Sequence, residues 1–122
     1  MKDAFGKRLW VFPDTELPPA GDFPLKGHES IIVLNMTGRP ASVRMTLYFT
    51  DRPPVALASL PVEAQRVRCF RMDHEAEIGF AVPRETQYAV RLESDIPVVV
   101  QYGRLDSRQP NLAYYTTMGY RA

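Results

Sequence analysis

Proline is the feature of this sequence that most limits its fold. The chain has 122 residues, and eleven of them are prolines. Proline lacks a backbone N–H and has a fixed φ, so it is excluded from helix interiors and from central positions of a sheet. The prolines lie between short segments of apolar, aromatic and β-branched residues, at positions 13, 18, 19, 24, 40, 53, 54, 61, 83, 97 and 110. This spacing indicates strands joined by turns, with residues 13–24 as a proline-rich connection.

Alternation of apolar and polar residues identifies the strands between the prolines. Residues 42–50 give the clearest pattern, with a period of two that turns one face inward. Weaker strand patterns occupy residues 9–12, 87–93 and 112–120. Residues 1–122 therefore predict one domain, an all-β antiparallel sandwich of about eight short strands.

Two segments, residues 31–34 and 98–100, are apolar on both faces of the strands they predict. A sandwich of this size has only one interior to fill, so the second apolar face must be covered in another way. Burial in a subunit contact satisfies this requirement, and we expect a homo-oligomer.

One segment fits neither periodicity. From residue 62 to residue 76 the residue types are compatible with a helix, while Val67 and Cys69 alternate as in a strand and Phe70 and Met72 take the opposite phase. The residues alone leave strand and helix equally open here.

Charge and composition exclude several classes of protein. Fifteen basic and fourteen acidic residues give a net charge of +1, which argues against a nucleic-acid partner bound through phosphate neutralisation. No apolar run approaches the length of a membrane span, and the first residues lack the pattern of a secretory signal. Cys69 is the only cysteine, so no disulfide framework is expected. These features favour a cytoplasmic protein in which Cys69 is a small buried hydrophobe.

The sequence contains no established catalytic or cofactor motif, and we expect no catalytic residue, no cofactor and no metal. A phosphate-binding glycine loop, a nucleophile elbow and a zinc-protease motif are all absent. Asp73, His74, Glu75 and Glu77 include metal-ligand types, but such clusters in polar turns are more often solvated.

The segment after the valine run changes character on one strand face. The even positions continue from valine into Tyr102, Arg104, Asp106 and Arg108. One alternative is a bulge at Gly103, which would move the charges into solvent. The other is an interior that opens at this end into a polar mouth or a subunit seam. On that alternative Arg104 and Asp106 are substantially buried and hydrogen-bonded.

The same segment resembles the signature of the soluble sensory rhodopsin transducer family, of the cyanobacterial type. The likeness is strongest over residues 98–109, which read VVVQYGRLDSRQ. It covers nearly the whole chain from Trp10 onward, through GHES at 27–30, LN at 34–35, TLYFTD at 46–51, residues 66–71 and SDIP at 94–97. The sequence departs from the family pattern in residues 13–23 and 72–82.

The resemblance implies a jelly-roll type of β-sandwich that assembles as a cytoplasmic homotetramer, and it implies that residues 65–72 form a strand. The family's name implies a membrane photoreceptor, or another signalling protein, as partner. The likeness of the family's sandwich to carbohydrate-binding modules implies a sugar or other small polar ligand.

These implications favour a non-catalytic signalling or ligand-binding module. Aromatic faces stack on sugars while carboxylate, amide and guanidinium groups bind hydroxyls, so the expected ligand-binding residues are Trp10, His28, Glu29, Asn35, Asp51, Arg104, Asp106 and Arg108. Each of these also has a structural explanation, as a core residue, a satisfied polar group or an ion pair.

Two other functions stay open. One is a structural or regulatory oligomer with a protein partner. The other is a glycoside-acting enzyme that uses Glu29 with Asp51 or Asp106, which requires two carboxyls about 5–10 Å apart.

Overall fold

The computed structural model describes residues 5–107 and 112–122 and is almost entirely antiparallel β-sheet. The strands are β1 (Lys7–Glu16), β2 (His28–Asn35), β3 (Ala41–Phe49), β4 (Val55–Ala56), β5 (Leu60–Val62), β6 (Arg66–Arg71), β7 (Gln87–Asp106), β8 (Ala113–Met118) and β9 (Tyr120–Arg121). A single helical turn, α1 (Glu75–Ile78), follows β6. This architecture confirms the predicted all-β antiparallel sandwich, with nine strands in the described part of the chain; the jelly-roll subtype stays a prediction.

The strands form two sheets that share β7. In sheet A, the first half of β7 lies between β1 and β3, with β9 beyond β1 and the short strands β4 and β5 along β3. In sheet B, the second half of β7 lies between β2 and β8, and β6 pairs with the other side of β2. One strand therefore connects the two layers of the sandwich.

The length of β7 differs from the sequence prediction, which placed separate strands at residues 87–93 and 98–100. The strand runs unbroken for 20 residues because Pro97 lies at the crossing between the sheets. Pairing with β3 ends at Ser94 and pairing with β2 begins at Val99. The missing N–H of Pro97 therefore interrupts neither of these two ladders, and the ladder with β1 shifts register between Glu93 and Val98.

The core lies between the sheets, where the alternation seen in the sequence turns apolar side chains inward. In β3, Val43, Met45 and Leu47 are buried, as predicted. Val90 and Leu92 of β7 lie beside them, and the inward face of sheet B contributes the apolar residues Ile31, Val33, Phe70, Val100 and Tyr102.

Strand β1 extends beyond its predicted end at Phe12. It passes through Pro13 to Glu16, with a shift in register against β7 between Phe12 and Thr15. The irregularity accommodates the proline, because a bulged position does not require a ladder N–H. The proline-rich connection therefore begins inside β1.

Residues 62–76, for which the sequence left strand and helix as equal alternatives, contain both. Strand β6 occupies residues 66–71, which confirms the strand implied by the family resemblance, and α1 follows after Asp73. Because Phe70 faces the core, its neighbour Cys69 faces outward and is exposed. The prediction that Cys69 is buried is therefore wrong.

Across residues 5–107 and 112–122, no helix has the length and apolar character needed to cross a membrane.

Candidate functional site: a buried carboxyl between the sheets

Glu29 places a carboxyl group inside the sandwich. It lies near the start of β2 on the same face as Ile31 and Val33, and its exposed fraction is 0%. A buried carboxyl is costly unless hydrogen bonds replace its lost hydration. The surroundings of Glu29 must therefore supply donors.

Three donors meet the carboxyl of Glu29. The Tyr88 hydroxyl donates to Oε1 at 2.6 Å, and the backbone N–H of Glu16 donates to Oε2 at 2.7 Å. The Tyr102 hydroxyl donates to Oε2 in a short contact. Thr15 adds support, because its hydroxyl donates to the backbone carbonyl of Tyr88 at 2.6 Å. Both carboxyl oxygens are thus satisfied by groups held in strands.

Burial dominates the electrostatics of this cluster. It raises the pKa of Glu29 above the ordinary 4.5, although the hydrogen bonds from Tyr102, Tyr88 and Glu16 and the charge of Arg104 oppose the shift. The pKa values of Tyr88 and Tyr102 also rise, through burial first and the neighbouring carboxyl second. Both tyrosines therefore stay neutral donors across the physiological pH range.

Glu29, Arg104 and Tyr115 form one row across sheet B. Arg104 of β7 pairs with Glu29 of β2 on one side and with Tyr115 of β8 on the other. Exposure increases along this row, from the buried carboxyl through the half-buried Arg104 to Tyr115, which is 51% exposed. The row leads from the interior to the surface.

The ladders on both sides of β7 continue in register past Gly103, so the predicted alternative of a bulge at this residue is wrong. The charged positions keep the inward parity of the valine run, and the interior ends in a polar mouth. Arg104 and Asp106 are intermediate in exposure there, which agrees with their predicted burial only in part. Within the described residues no ion pair joins them directly.

We name Arg104, Asp106 and Tyr115 the Arg104 rim. Asp106 pairs with Ala113 at the end of sheet B, one row beyond Leu105. Both sheet B and its hydrogen-bond ladder end here, which explains why the charged side chains reach solvent.

Two of the candidate ligand residues are used by the fold. The Trp10 ring is buried, and its Nε1–H lies within hydrogen-bond distance of the carbonyls of Lys7 and Val98, at 3.0 and 3.1 Å. The Asn35 amide is also buried and donates to the carbonyls of Arg39, Val62 and Glu63. These contacts anchor backbone and leave neither group directed at the Arg104 rim.

The other candidates are dispersed. His28 is half-buried, and its Nδ1 lies 2.8 Å from the carbonyl of Lys26. Asp51 is exposed in the turn after β3, where it pairs with Arg52 at 3.0 Å. Arg108 lies outside the described residues. The structure therefore brings Glu29 and Arg104 together and leaves Asp51 apart from them.

Sequence reasoning missed the two tyrosines that hold Glu29. Tyr88 and Tyr102 lie at inward-facing positions of β7 among apolar residues, and nothing local in the sequence shows that their hydroxyls meet Glu29, which is 59 and 73 residues away from them in the chain. A usable signal was present in β2, because Glu29 shares the parity of Ile31 and Val33 and therefore needs interior donors.

A second polar network lies beside the Glu29 cluster. Asp73 accepts two hydrogen bonds of 2.8 Å from Arg71 and lies 3.7 Å from Arg84. Arg84 also donates to the carbonyls of Pro18 and Gly27, which fixes residues 17–27 over the end of sheet B. Burial acts to raise the pKa of Asp73, but the hydrogen bonds and charge of Arg71 outweigh it and lower the pKa.

The outward face of sheet B carries an apolar groove. Its volume is about 400 Å³, and it is lined by Ile32, Leu34, Val67, Val99, Gln101 and Met118. Leu34 is 37% exposed, and Val67 and Met118 are more exposed. Ile32 and Leu34 belong to residues 31–34 and Val99 to residues 98–100, the two segments whose predicted strands are apolar on both faces.

The described part of the chain gathers no group of three or more His, Cys, Asp or Glu side chains suited to a metal ion. Asp73, the most buried acid of the metal-ligand alternative, is paired with arginine.

Fold and site together define a β-sandwich module with an interior carboxyl held by tyrosines. The chain belongs to the Anabaena sensory rhodopsin transducer family, whose model matches residues 5–121. This membership confirms the resemblance found in the sequence.

Two solved structures are similar to the chain. One is the crystal structure of Thermotoga maritima 1070, with a TM-score of 0.87 and 30% identity, covering 98% of this chain and 97% of that one. The other is the Anabaena sensory rhodopsin transducer, with a TM-score of 0.72 and 29% identity, covering 83% of this chain and 97% of that one. No curated protein matches the sequence.

Proposed function

We propose that this protein is a non-catalytic signalling module that works as a homo-oligomer in the cytoplasm and docks to a partner protein. The observation that carries the proposal is the apolar groove on the outward face of sheet B, in a chain that belongs to a transducer family. An exposed apolar patch of this kind is typical of a protein–protein interface.

We assign the groove to the contact between copies of the chain. Ile32, Leu34 and Val99 come from adjacent strands of sheet B, and Val67 and Met118 lie on the strands that flank them. Because these strands are paired side by side, their outward side chains form one continuous apolar surface that a second copy can cover. The family resemblance supports a tetramer as the assembled form.

We assign the Arg104 rim to the partner. The rim lies at the end of sheet B, carries charge of both signs, and includes the exposed Tyr115 ring. Tyrosine and arginine are enriched in residues that dominate binding energy at interfaces. A similar protein is named a sensory rhodopsin transducer, which supports a membrane photoreceptor as partner.

The partner assignment is tested by titration of the purified protein into a microbial sensory rhodopsin reconstituted in nanodiscs. Binding is measured by calorimetry and by the rate of the receptor's photocycle. We expect saturable binding that Tyr115→Ala weakens and Tyr120→Ala leaves unchanged, since Tyr120 is also exposed but lies in β9 on sheet A. Equal effects of the two substitutions would contradict docking at the Arg104 rim.

A sugar or other small polar ligand is the second candidate for the Arg104 rim. The exposed ring of Tyr115 beside Arg104 favours it, because aromatic faces stack on sugars while charged groups bind hydroxyls. A thermal-shift screen against sugars, sugar acids and phosphates tests it, since a ligand of the native state raises the unfolding midpoint. No shift at millimolar concentrations would exclude this candidate.

The positions of Glu29 and Asp51 give no support to a glycoside-acting enzyme that uses these two carboxyls. Glu29 is buried and bonded to two tyrosines, while Asp51 is exposed and bonded to Arg52. A glycosidase needs two carboxyls that face one substrate. The net charge of +1 likewise gives no support to a nucleic-acid partner.

A further inference from the structure

The Glu29 carboxyl connects the two sheets. Glu29 belongs to β2 in sheet B, and the Tyr102 hydroxyl that reaches it comes from the half of β7 in the same sheet. The Tyr88 hydroxyl and the Glu16 N–H come from sheet A. One buried side chain is thus bonded to both layers.

We propose that the Glu29 carboxyl is a latch that holds the end of sheet A against sheet B and thereby fixes residues 17–27, the segment that packs beside the Arg104 rim. Release of the bonds from Tyr88 and Glu16 separates the layers at this end. The latch rests on the proposed function only in treating the rim as the docking site.

Contacts around Glu29 explain how the latch reaches the rim. Glu16 ends β1, and the next residue, Leu17, begins the segment that Arg84 fixes over sheet B. The Leu17 carbonyl accepts the N–H of Glu85 at 2.7 Å. A displacement of the end of β1 therefore moves the segment that covers the outward side of Leu105 and Ser107, the neighbours of the rim residues.

On the sheet B side, Glu29 is held independently of the latch. Its backbone carbonyl accepts the N–H of Met72 at 2.9 Å, and its backbone pairs with Arg104 in the ladder. Glu29 therefore stays with sheet B when the bonds to sheet A are released.

The charged and titratable groups facing the carboxyl are Arg104, Tyr88 and Tyr102, and Tyr115 contacts the ring of Tyr102. If Glu29 takes up a proton, its O–H can donate to the Tyr88 hydroxyl, so the contact between these two side chains persists with its direction reversed. The latch is therefore opened by loss of a partner group rather than by protonation alone.

The two tyrosines provide a matched test. Tyr88→Phe removes a bond between the sheets, whereas Tyr102→Phe removes a bond within sheet B, and both residues are equally buried. Native-state hydrogen exchange is measured on the amides of Glu16, Glu85 and Met72.

If the latch is present, Tyr88→Phe accelerates exchange at Glu16 and Glu85 by about tenfold and leaves Met72 unchanged. Tyr102→Phe has a much smaller effect on the exchange of Glu16 and Glu85. Equal acceleration by both substitutions, or none by Tyr88→Phe, would overturn the latch.

A second measurement uses the unmodified protein. If the latch opens as one unit, the amides of Glu16 and Glu85 exchange with the same opening free energy, below that of the core amide of Val33. Different opening energies at Glu16 and Glu85 would overturn the proposal. Neither measurement needs the partner, so failure of the photoreceptor titration counts against the proposed function alone.

Discussion

The hydroxyl of Tyr88 donates a 2.6 Å hydrogen bond to Oε1 of Glu29, although the two residues are 59 positions apart and belong to different sheets. This bond satisfies a carboxyl that the strand pattern forces into the interior. It also makes the stability of the sandwich dependent on one polar side chain, which gives the first predictions.

Replacement of Glu29 by alanine should destabilise the protein by about 2–4 kcal/mol, because it leaves the hydroxyls of Tyr88 and Tyr102 and an amide N–H buried without their acceptor. Urea unfolding measures the loss. The control is Glu93→Ala, which removes a partly exposed pair with Arg91 and should cost less than about 1 kcal/mol. Similar costs for the two variants would show that the interior bonds contribute little.

Stability should depend on pH through Glu29 in an unusual direction. The folded-state pKa of Glu29 is raised above 4.5, so the folded protein holds this proton more tightly than the unfolded chain. The stability that Glu29 contributes by holding this proton is fully present below pH 4.5, and it is lost as the pH rises through the folded-state pKa. The difference in unfolding free energy, wild type minus Glu29→Gln, should therefore fall as the pH rises from 4.5 through the folded-state pKa of Glu29.

Asp73 has the opposite dependence, because its pKa is lowered in the folded state and its contribution is lost as the pH falls. This effect is common to the wild type and to Glu29→Gln, so it cancels in the difference. A difference that rises with pH would contradict the assigned direction for Glu29.

Substitution of Arg104 by methionine should raise the pKa of Glu29 further, because the positive charge of Arg104 favours the ionised carboxyl. The ¹³C chemical shift of the Glu29 carboxyl, followed by NMR against pH, measures the change. Arg91→Met serves as the control, since Arg91 pairs with Glu93 in sheet A. An unchanged titration in Arg104→Met would separate Arg104 from the Glu29 cluster.

Glutamate at position 34 should dissociate the oligomer. Leu34 lines the groove on sheet B, and a buried, unpaired charge in a subunit contact is strongly unfavourable. Tyr48→Glu is a matched control, because Leu34 and Tyr48 are both 37% exposed but Tyr48 lies on the outward face of sheet A. Light scattering should give a monomer mass only for Leu34→Glu; an assembled Leu34→Glu protein would place the interface elsewhere.

The reactivity of Cys69 should report on the same contact. Cys69 pairs with Ile32, a residue of the groove, and its side chain is exposed in the single chain. If a second copy covers this face, a thiol reagent should label Cys69 slowly in the assembled protein and rapidly in Leu34→Glu. Equal labelling rates in the two proteins would argue that the groove is uncovered.

The sequence by itself determined the strand pattern. Alternation places Val43, Met45 and Leu47 inside, and local spacing is enough to predict this. It also determined family membership, because the segment around Arg104 is contiguous in the chain. These properties are local, so each could be predicted without knowing which strands are neighbours.

Only the tertiary structure decided how the polar groups meet. Tyr88 and Tyr102 reach one carboxyl because β7 crosses from sheet A to sheet B, and Pro97 permits the crossing by lying between two ladders. The exposure of Cys69 depended on whether Phe70 or its neighbour faces the core. Strand pairing brings together residues that are distant in sequence. The alternation within a strand specifies which of its side chains turn inward, but it does not specify which residues of other strands they will contact.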